Sequence, residues 1–219
     1  MSATNRGAQR HKSDFYITPP WVLERFLEAP DLGFSGNRWL EPCAGDGAII
    51  RATNGVRSDI VWSACELREA ERAGLEPLAP GGLRIGDFRE QTFDTLFDLS
   101  LSNPPFSIAM DIIQHSRRVA VHTAMLLRLD FWGSAGRAAY LRECPPDTYP
   151  LPNRPTFSLN KKGKPGTDSN EYAWFVWPHE AVKRPYGRIR LLAETPANVR
   201  KDWSKHVAEQ ARKDLNKAI

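Results

Sequence analysis

The segment Ser102-Asn103-Pro104-Pro105-Phe106 combines the groups that could activate an amino nitrogen. The exocyclic amino nitrogen of a base such as adenine is a poor nucleophile, because its lone pair is delocalised into the ring. The Asn103 side-chain oxygen and the Pro104 carbonyl oxygen could each accept one amino hydrogen, which favours a tetrahedral, nucleophilic nitrogen. The two prolines stiffen the turn, and Phe106 offers a flat surface for stacking. The alternative is an ordinary proline-rich turn at the end of a strand.

A second segment, Glu41-Pro42-Cys43-Ala44-Gly45-Asp46-Gly47, follows a short apolar strand and precedes a predicted helix. Its glycines permit positive φ angles and the close approach of a ligand to the backbone. The segment lacks the third glycine of a dinucleotide fingerprint and the lysine of a phosphate-binding loop. It therefore predicts either a site for a cofactor without phosphate groups, which S-adenosylmethionine satisfies, or plain packing of a strand against a helix.

Two acidic residues follow the next two predicted strands. Glu66 closes the strand 60–65, where its carboxylate could accept both hydroxyl groups of a ribose. Asp87 follows the strand 83–85, where it could accept from an adenine amino group with Phe88 beside the ring. Each acid on its own is equally typical of a helix cap. Three such features at successive strand ends favour a single cofactor site.

The elements that must position these residues alternate between strands and helices. This order predicts a Rossmann-like α/β fold with a seven-stranded, mostly parallel sheet and helices on both faces. Residues 1–13 are predicted to be a flexible basic arm, and 14–219 a single domain. The segment 131–171, rich in Pro, Gly, Asn and Lys, predicts a loop excursion that could recognise a target. Helices are predicted at 66–74 and 108–118, and strands at 38–40, 60–65, 83–85, 99–101, 119–129, 173–177 and 188–192.

The glycine turn followed by Asn-Pro-Pro-Phe resembles the amino-methyltransferases of DNA, and the resemblance spans residues 14–130. The segment 14–20 resembles a further motif of that family, and the segments 153–157 and 170–177 resemble short phage-borne adenine methyltransferases. The resemblance implies methyl transfer from S-adenosylmethionine to adenine N6 in DNA on a class I methyltransferase fold. It implies catalytic roles for Asn103, Pro104, Pro105 and Phe106, and contacts of Tyr16, Thr18, Glu41, Ala44 and Gly45 with the methionine end of the cofactor. The cofactor-binding residues expected are Tyr16, Thr18, Glu41, Pro42, Ala44, Gly45, Gly47, Glu66, Leu67, Asp87, Phe88 and Asn103.

Substrate-binding candidates lie in the predicted excursion. Phe157 is expected to form the second wall of a pocket for a flipped base, or equally to anchor the loop to the sheet. Four basic residues around it are candidates for phosphate contacts, although a solvated surface has the same composition. The C-terminal helix, which is also basic, is an alternative path for DNA. The substrate-binding residues expected are Phe106, Phe157, Arg154, Lys161, Lys162 and Lys164.

Composition limits the class of protein. The 219 residues carry a net charge of +4 and a pI near 9.0, which permits a nucleic-acid partner. The three cysteines and five histidines have no disulfide or metal-ligand spacing, so no metal is expected. The absence of a long apolar run or a secretory signal predicts a cytoplasmic protein without a membrane span, and a monomer is favoured. Cytosine N4, RNA adenine or protein glutamine as acceptor, and a non-catalytic cofactor- or DNA-binding module, remain alternatives.

Overall fold

The computed structural model describes residues 17–157, 166 and 169–217. Their centre is a seven-stranded sheet in the order β3-β2-β1-β4-β5-β7-β6. Strands β1 to β5 pair in parallel, whereas β7 is antiparallel to both β5 and β6. The predicted fold class is confirmed. The strands are β1 (Arg38–Glu41), β2 (Val61–Glu66), β3 (Gly82–Ile85), β4 (Phe97–Ser102), β5 (Ala120–Arg128), β6 (Asp147–Pro150) and β7 (Tyr172–Pro178).

Helices cover both faces of this sheet and enclose two apolar cores. Because successive strand residues point to opposite faces, Trp39 of β1 joins one core and its neighbour Leu40 joins the other. The predicted helix 66–74 is wrong as a continuous element, because Glu66 still belongs to β2 and the helical part is a 3-10 turn at Glu69–Glu71 followed by a short helix at Arg72–Leu75. The helices are α1 (Pro20–Leu27), α2 (Ala48–Asn54), α3 (Arg72–Leu75), α4 (Ala109–Val119), α5 (Ala135–Glu143) and α6 (Ala197–Lys217).

Helix α1 is fixed against the sheet by aromatic packing. Its N-terminal proline pair suits the first helical turn. Phe26 stacks on Trp174 of β7 with ring centroids 4.7 Å apart, and the Trp174 indole nitrogen donates to the Val22 carbonyl at 3.0 Å. This anchoring holds Thr18, two residues before α1, close to the carboxyl end of β4.

The segment 131–171 is not a simple excursion from the sheet, since it contains α5 and the edge strand β6. Strand β6 carries no apolar run. It is held by Asp147, whose carboxylate accepts from Arg184 Nη1 at 2.8 Å and from the Arg188 backbone nitrogen at 2.7 Å. These partners lie about forty positions away in sequence, so local patterning could not reveal the strand.

The predicted seventh strand, 188–192, is also wrong. This segment runs beside β6 and forms one isolated bridge, between Ile189 and Thr148. Its backbone bonds to β6 continue as far as Leu192, whose nitrogen donates to the Pro150 carbonyl at 3.0 Å. Pro150 has no N–H and cannot donate a hydrogen bond back to this segment, so a regular ladder cannot extend.

Candidate active site

The sequence motifs meet at the carboxyl edge of the sheet, where β1 and β4 lie side by side. Sheets of this kind bind ligands at that position, because the chain crosses to opposite sides from the two central strands. A cleft of about 910 Å³, which includes its solvent-open part, lies there between the turn after β1 and the turn after β4. The predicted residues that line it are Thr18, Pro42, Ala44, Gly45, Glu66, Leu67, Asp87, Phe88, Asn103 and Pro105.

The glycine turn is held in place by the end of β2. The Ala44 nitrogen donates to the Cys65 carbonyl at 2.8 Å, and the Gly45 nitrogen donates to Glu66 Oε2 at 2.8 Å. Gly45 and Gly47 have φ angles of 59° and 84°, in the left-handed region that favours glycine. A Cβ at Gly47 would lie 2.6 Å from Leu78, so this glycine permits close packing outside the cleft lining.

Glu66 is almost fully buried, and both of its carboxylate oxygens accept hydrogen bonds. Besides the bond from Gly45, Oε1 accepts from the Arg68 backbone nitrogen at 3.0 Å and from Arg68 Nε at 2.7 Å. Arg68 also lines the cleft. The predicted ribose acceptor is therefore paired with a guanidinium that the sequence interpretation did not include.

Asp87 repeats this arrangement at the end of β3. Its carboxylate accepts from the Arg89 backbone nitrogen at 2.9 Å and from Arg89 Nε and Nη2 at 3.0 and 2.5 Å. These side-chain hydrogen bonds lower the pKa of Asp87 below its ordinary value. Phe88 is 3% exposed and packs edge-on against His115, so most of its ring belongs to the core. The spacing acid-x-Arg, present twice, is the sequence signal that could have identified both arginines.

Glu41 lies at the end of β1, outside the cleft lining and 1% exposed. Neither of its carboxylate oxygens makes a hydrogen bond of regular geometry with the residues the structure describes, although the Ser102 hydroxyl at the end of β4 and the Cys43 backbone N–H lie close to it. Burial raises the pKa of Glu41 well above its ordinary value, while the nearby Ser102 hydroxyl and Cys43 N–H act in the opposite direction. A buried carboxylate without a partner favours either its neutral form or a cationic ligand.

Asn103 follows β4 directly and contacts Thr18. Its side-chain nitrogen Nδ2 donates to Thr18 Oγ1 at 3.1 Å. Among the residues that the structure describes, none makes a hydrogen bond to its oxygen Oδ1. Pro105 lines the cleft, whereas Pro104 and Phe106 lie beyond the lining residues. The acceptor half of the amide is thus the half left available.

Phe106 and Phe157 meet through a shared neighbour, Tyr172, at the start of β7. The ring centroid of Tyr172 lies 6.1 Å from that of Phe106 and 5.0 Å from that of Phe157. Phe106 is 36% exposed, so one part of its ring remains accessible. The structure brings the two predicted stacking residues into one aromatic cluster, and Phe157 packs against the sheet there.

The predicted basic residues divide into two groups. The Arg154 side chain is half exposed and lies 3.6 Å from the Glu171 carboxylate. Tyr16 and the lysines Lys161, Lys162 and Lys164 lie outside the described residues.

Within the described ranges, no group of His, Cys, Asp and Glu side chains could hold a metal ion. No helix in the same ranges is long and apolar enough to cross a membrane.

No protein-family model and no curated protein sequence matches the chain. Solved structures do match. A protein of Listeria monocytogenes described as a class I S-adenosylmethionine-dependent methyltransferase superposes with a TM-score of 0.55 at 12% identity, over 86% of this chain and 68% of that one. The methyltransferase subunit of a type I restriction-modification system from Streptococcus thermophilus gives a TM-score of 0.57 at 16% identity, over 87% of this chain.

The chain has the class I methyltransferase fold. It spans about half, 52%, of the Streptococcus thermophilus subunit. The 23S rRNA methyltransferase ErmE also matches, with a TM-score of 0.51 at 14% identity, over 77% of this chain and 71% of that one. At these identities the likeness shows the architecture, and the acceptor must be argued from the site.

Proposed function

We propose that the protein transfers a methyl group from S-adenosylmethionine to the exocyclic N6 amino group of adenine in DNA. The observation that carries the proposal is the orientation of Asn103. Its Nδ2 is bonded to Thr18 at 3.1 Å, so its Oδ1 remains to accept a hydrogen at the edge of the cleft. An amide acceptor in that place suits an amino group that needs two acceptors to become nucleophilic.

The residues around the cleft suit S-adenosylmethionine as the cofactor. Glu66 and Asp87 stand at the ends of β2 and β3, where ribose hydroxyls and an adenine amino group need acceptors. When bound, the cofactor supplies an electrophilic methyl group on a sulfonium.

The chain's own groups would then act on the acceptor. Asn103 Oδ1 and the Pro104 carbonyl oxygen each accept one amino hydrogen, and the nitrogen lone pair turns toward the methyl carbon. Transfer would join the methyl carbon to this nitrogen at the expense of its bond to sulfur, and the nitrogen would then lose one proton to solvent. Alignment of nucleophile and donor supplies much of the acceleration, and no covalent enzyme intermediate is needed.

An aromatic cluster beside the motif favours a base as the acceptor. Phe106 is partly exposed, and its ring packs against that of the buried Tyr172. A base stacked on such a ring gains about 1–3 kcal/mol. Adenine in a duplex would have to leave its stack to reach Asn103, as enzymes that modify bases require.

A basic cleft offers a path for the nucleic-acid backbone. Arg154, Arg200 and Lys201 line it together with Trp203, whose indole nitrogen donates to the Thr156 carbonyl at 2.7 Å. The first turn of α6 contains no acidic residue. Cations at that end of a helix oppose its dipole, and phosphate groups would suit Arg200 and Lys201 there. Arg200 also donates from Nε to the Thr195 carbonyl at 3.0 Å. Thr156, which lines this cleft, is adjacent in sequence to Phe157 of the aromatic cluster.

One experiment tests the proposal. The purified protein is incubated in parallel with DNA, RNA and protein and with S-adenosylmethionine carrying a tritiated methyl group. We expect label in DNA, and N6-methyladenine after digestion to nucleosides. The Asn103→Ala variant serves as the matched control. Label in N4-methylcytosine, in RNA or in glutamine would show that the acceptor is a different group. The absence of label from every substrate would refute the proposed enzymatic activity.

A further inference from the structure

We propose that Asp111 is a positioning residue for cofactor binding: it receives the Arg89 guanidinium when the adenine amino group of S-adenosylmethionine takes the Asp87 carboxylate. This inference rests on one part of the proposed function, the placement of Asp87 at the adenine of the cofactor, and adds two residues to it. Arg89 lines the cleft, whereas Asp111 lies outside the lining residues. The arginine therefore links a cofactor acid inside the cleft to a second acid beyond it.

Both oxygens of the Asp87 carboxylate accept hydrogen bonds from Arg89. Oδ1 accepts from the backbone nitrogen at 2.9 Å and from Nε at 3.0 Å, and Oδ2 accepts from Nη2 at 2.5 Å. A guanidinium can only donate and an ionised carboxylate can only accept, so the direction of each bond is fixed. The adenine amino group is also a donor, and it must therefore compete with the guanidinium for the same oxygens.

Asp111 offers the guanidinium a second acceptor. The remaining nitrogen of the group, Arg89 Nη1, donates to Asp111 Oδ2 at 3.3 Å. Asp111 is exposed in the first turn of α4, the helix that follows the Asn-Pro-Pro-Phe turn. Rotation of the Arg89 side chain about this contact releases Nε and Nη2 from Asp87, while the backbone nitrogen keeps its bond to Oδ1. The amino group can then take Oδ2, and the charge of Arg89 stays paired.

The other cleft arginine shows why only one of the two acids needs this exchange. Arg68 also lies between two acids, since its Nε is 2.7 Å from Glu66 Oε1 and its Nη1 is 3.2 Å from Glu71 Oε1. Glu66 Oε2, however, accepts only from Gly45 among the described residues, so it can take a ribose hydroxyl while Arg68 stays in place. Glu71 is therefore the matched control for Asp111, because both are second acids outside the cleft lining.

The test measures the Kd for S-adenosylmethionine by titration calorimetry. Asp111→Asn removes the charge of the receiving acid, so the Kd should rise about two- to fivefold, the range of a partly exposed ion pair. Arg89→Met keeps an apolar stem and removes the competing donor, so the Kd should fall by about the same factor. In the double variant the effect of Asp111→Asn should vanish, because no guanidinium remains to be received. Glu71→Gln should bind as wild type does.

An analogue of S-adenosylmethionine with hydrogen in place of the adenine amino group separates this exchange from a structural role. It has no amino group to compete for the Asp87 carboxylate, so wild type and Asp111→Asn should bind it equally well. An equal loss of affinity for both ligands would overturn the proposal, as would an Arg89→Met protein that binds S-adenosylmethionine more weakly than wild type.

Asp87→Ala distinguishes failure of this inference from failure of the proposed cofactor site. If this variant binds S-adenosylmethionine as wild type does, Asp87 does not hold the adenine amino group, and the proposed placement of the cofactor is wrong. If Asp87→Ala binds it more weakly but Asp111→Asn binds it as wild type does, the placement stands and the role of Asp111 is refuted.

Discussion

Substitution of Glu66 tests how the cleft recognises its cofactor. Glu66→Ala removes a carboxylate whose Oε2 accepts from the Gly45 nitrogen at 2.8 Å and whose Oε1 accepts from Arg68 Nε at 2.7 Å. Ribose hydroxyls left without an acceptor in a closed site cost about 1–3 kcal/mol. This corresponds to an increase in the Kd for S-adenosylmethionine of about 5- to 150-fold. Affinity for DNA should change far less, because Glu66 lies at the proposed cofactor end of the cleft.

A graded series sharpens this prediction. Glu66→Gln keeps the shape and one oxygen, so it should cost about one hydrogen bond, roughly 0.5–1.5 kcal/mol. Glu71→Gln is the matched control, because Glu71 lies 3.2 Å from Arg68 Nη1 but does not line the cleft. We expect the control to bind the cofactor as wild type does.

Titration calorimetry with S-adenosylmethionine gives the affinity of each variant, and thermal unfolding without ligand reports whether the glycine turn has been disturbed. A folded Glu66→Ala protein whose Kd lies within twofold of wild type would refute the reasoning. Glu66 would then serve only to hold Gly45 in place.

Three further predictions follow from other contacts. Asn103→Ala should lower turnover by about 10²–10³-fold and leave cofactor Kd nearly unchanged in calorimetry, and turnover above a tenth of wild type would contradict its role. We expect the free energy of unfolding of Glu41→Gln, measured with urea and compared with that of wild type, to be more favourable at pH 8 than at pH 5. Burial raises the pKa of Glu41 above its ordinary 4.5, so wild-type stability falls as pH rises from that value toward the raised pKa. Replacement of Arg200 and Lys201 by alanine should reduce the slope of log K for DNA against log salt by about 1.8, and an unchanged slope would exclude both from phosphate contact.

The sequence contained enough information to predict the central strands and the turns that end them. The largely apolar run 60–65 predicts β2 to within one residue, because a strand inside a parallel sheet is mostly buried on both faces. Gly45 lies in the turn after β1 and Pro104 in the turn after β4, and glycine and proline are both uncommon inside strands. Once both strands are known to be central and parallel, their turns must meet at one edge. That is why the meeting of these two turns could be predicted before the structure.

The edge of the sheet could not be predicted in the same way. The four residues of β6 form a strand because they pair with β7, and Asp147 also binds Arg184 and the Arg188 backbone. The segment 188–192, which has more strand-like residues, leaves Ile189 75% exposed and forms a single bridge. Edge strands depend on tertiary partners more than on their own residues.

The arginines that cover the two predicted cofactor acids follow from a shared backbone geometry. Glu66 ends β2 and Asp87 lies two residues after β3, and each accepts from the backbone nitrogen two positions later, at 3.0 Å for Glu66 and 2.9 Å for Asp87. Such a turn places the side chain of that later residue beside the carboxylate. An arginine there neutralises the acid within the cleft.

This pairing sets how a ligand could enter. Glu66 Oε2 accepts only from Gly45 among the described residues, so a second lone pair can take one ribose hydroxyl while Arg68 stays in place. The other hydroxyl must share Oε1 with Arg68, which already donates to it twice. Asp87 has both oxygens bonded to Arg89, so an amino group there must share with or displace the guanidinium. The two arginines therefore stabilise the charged acids without ligand, and their rearrangement opposes binding more at Asp87 than at Glu66.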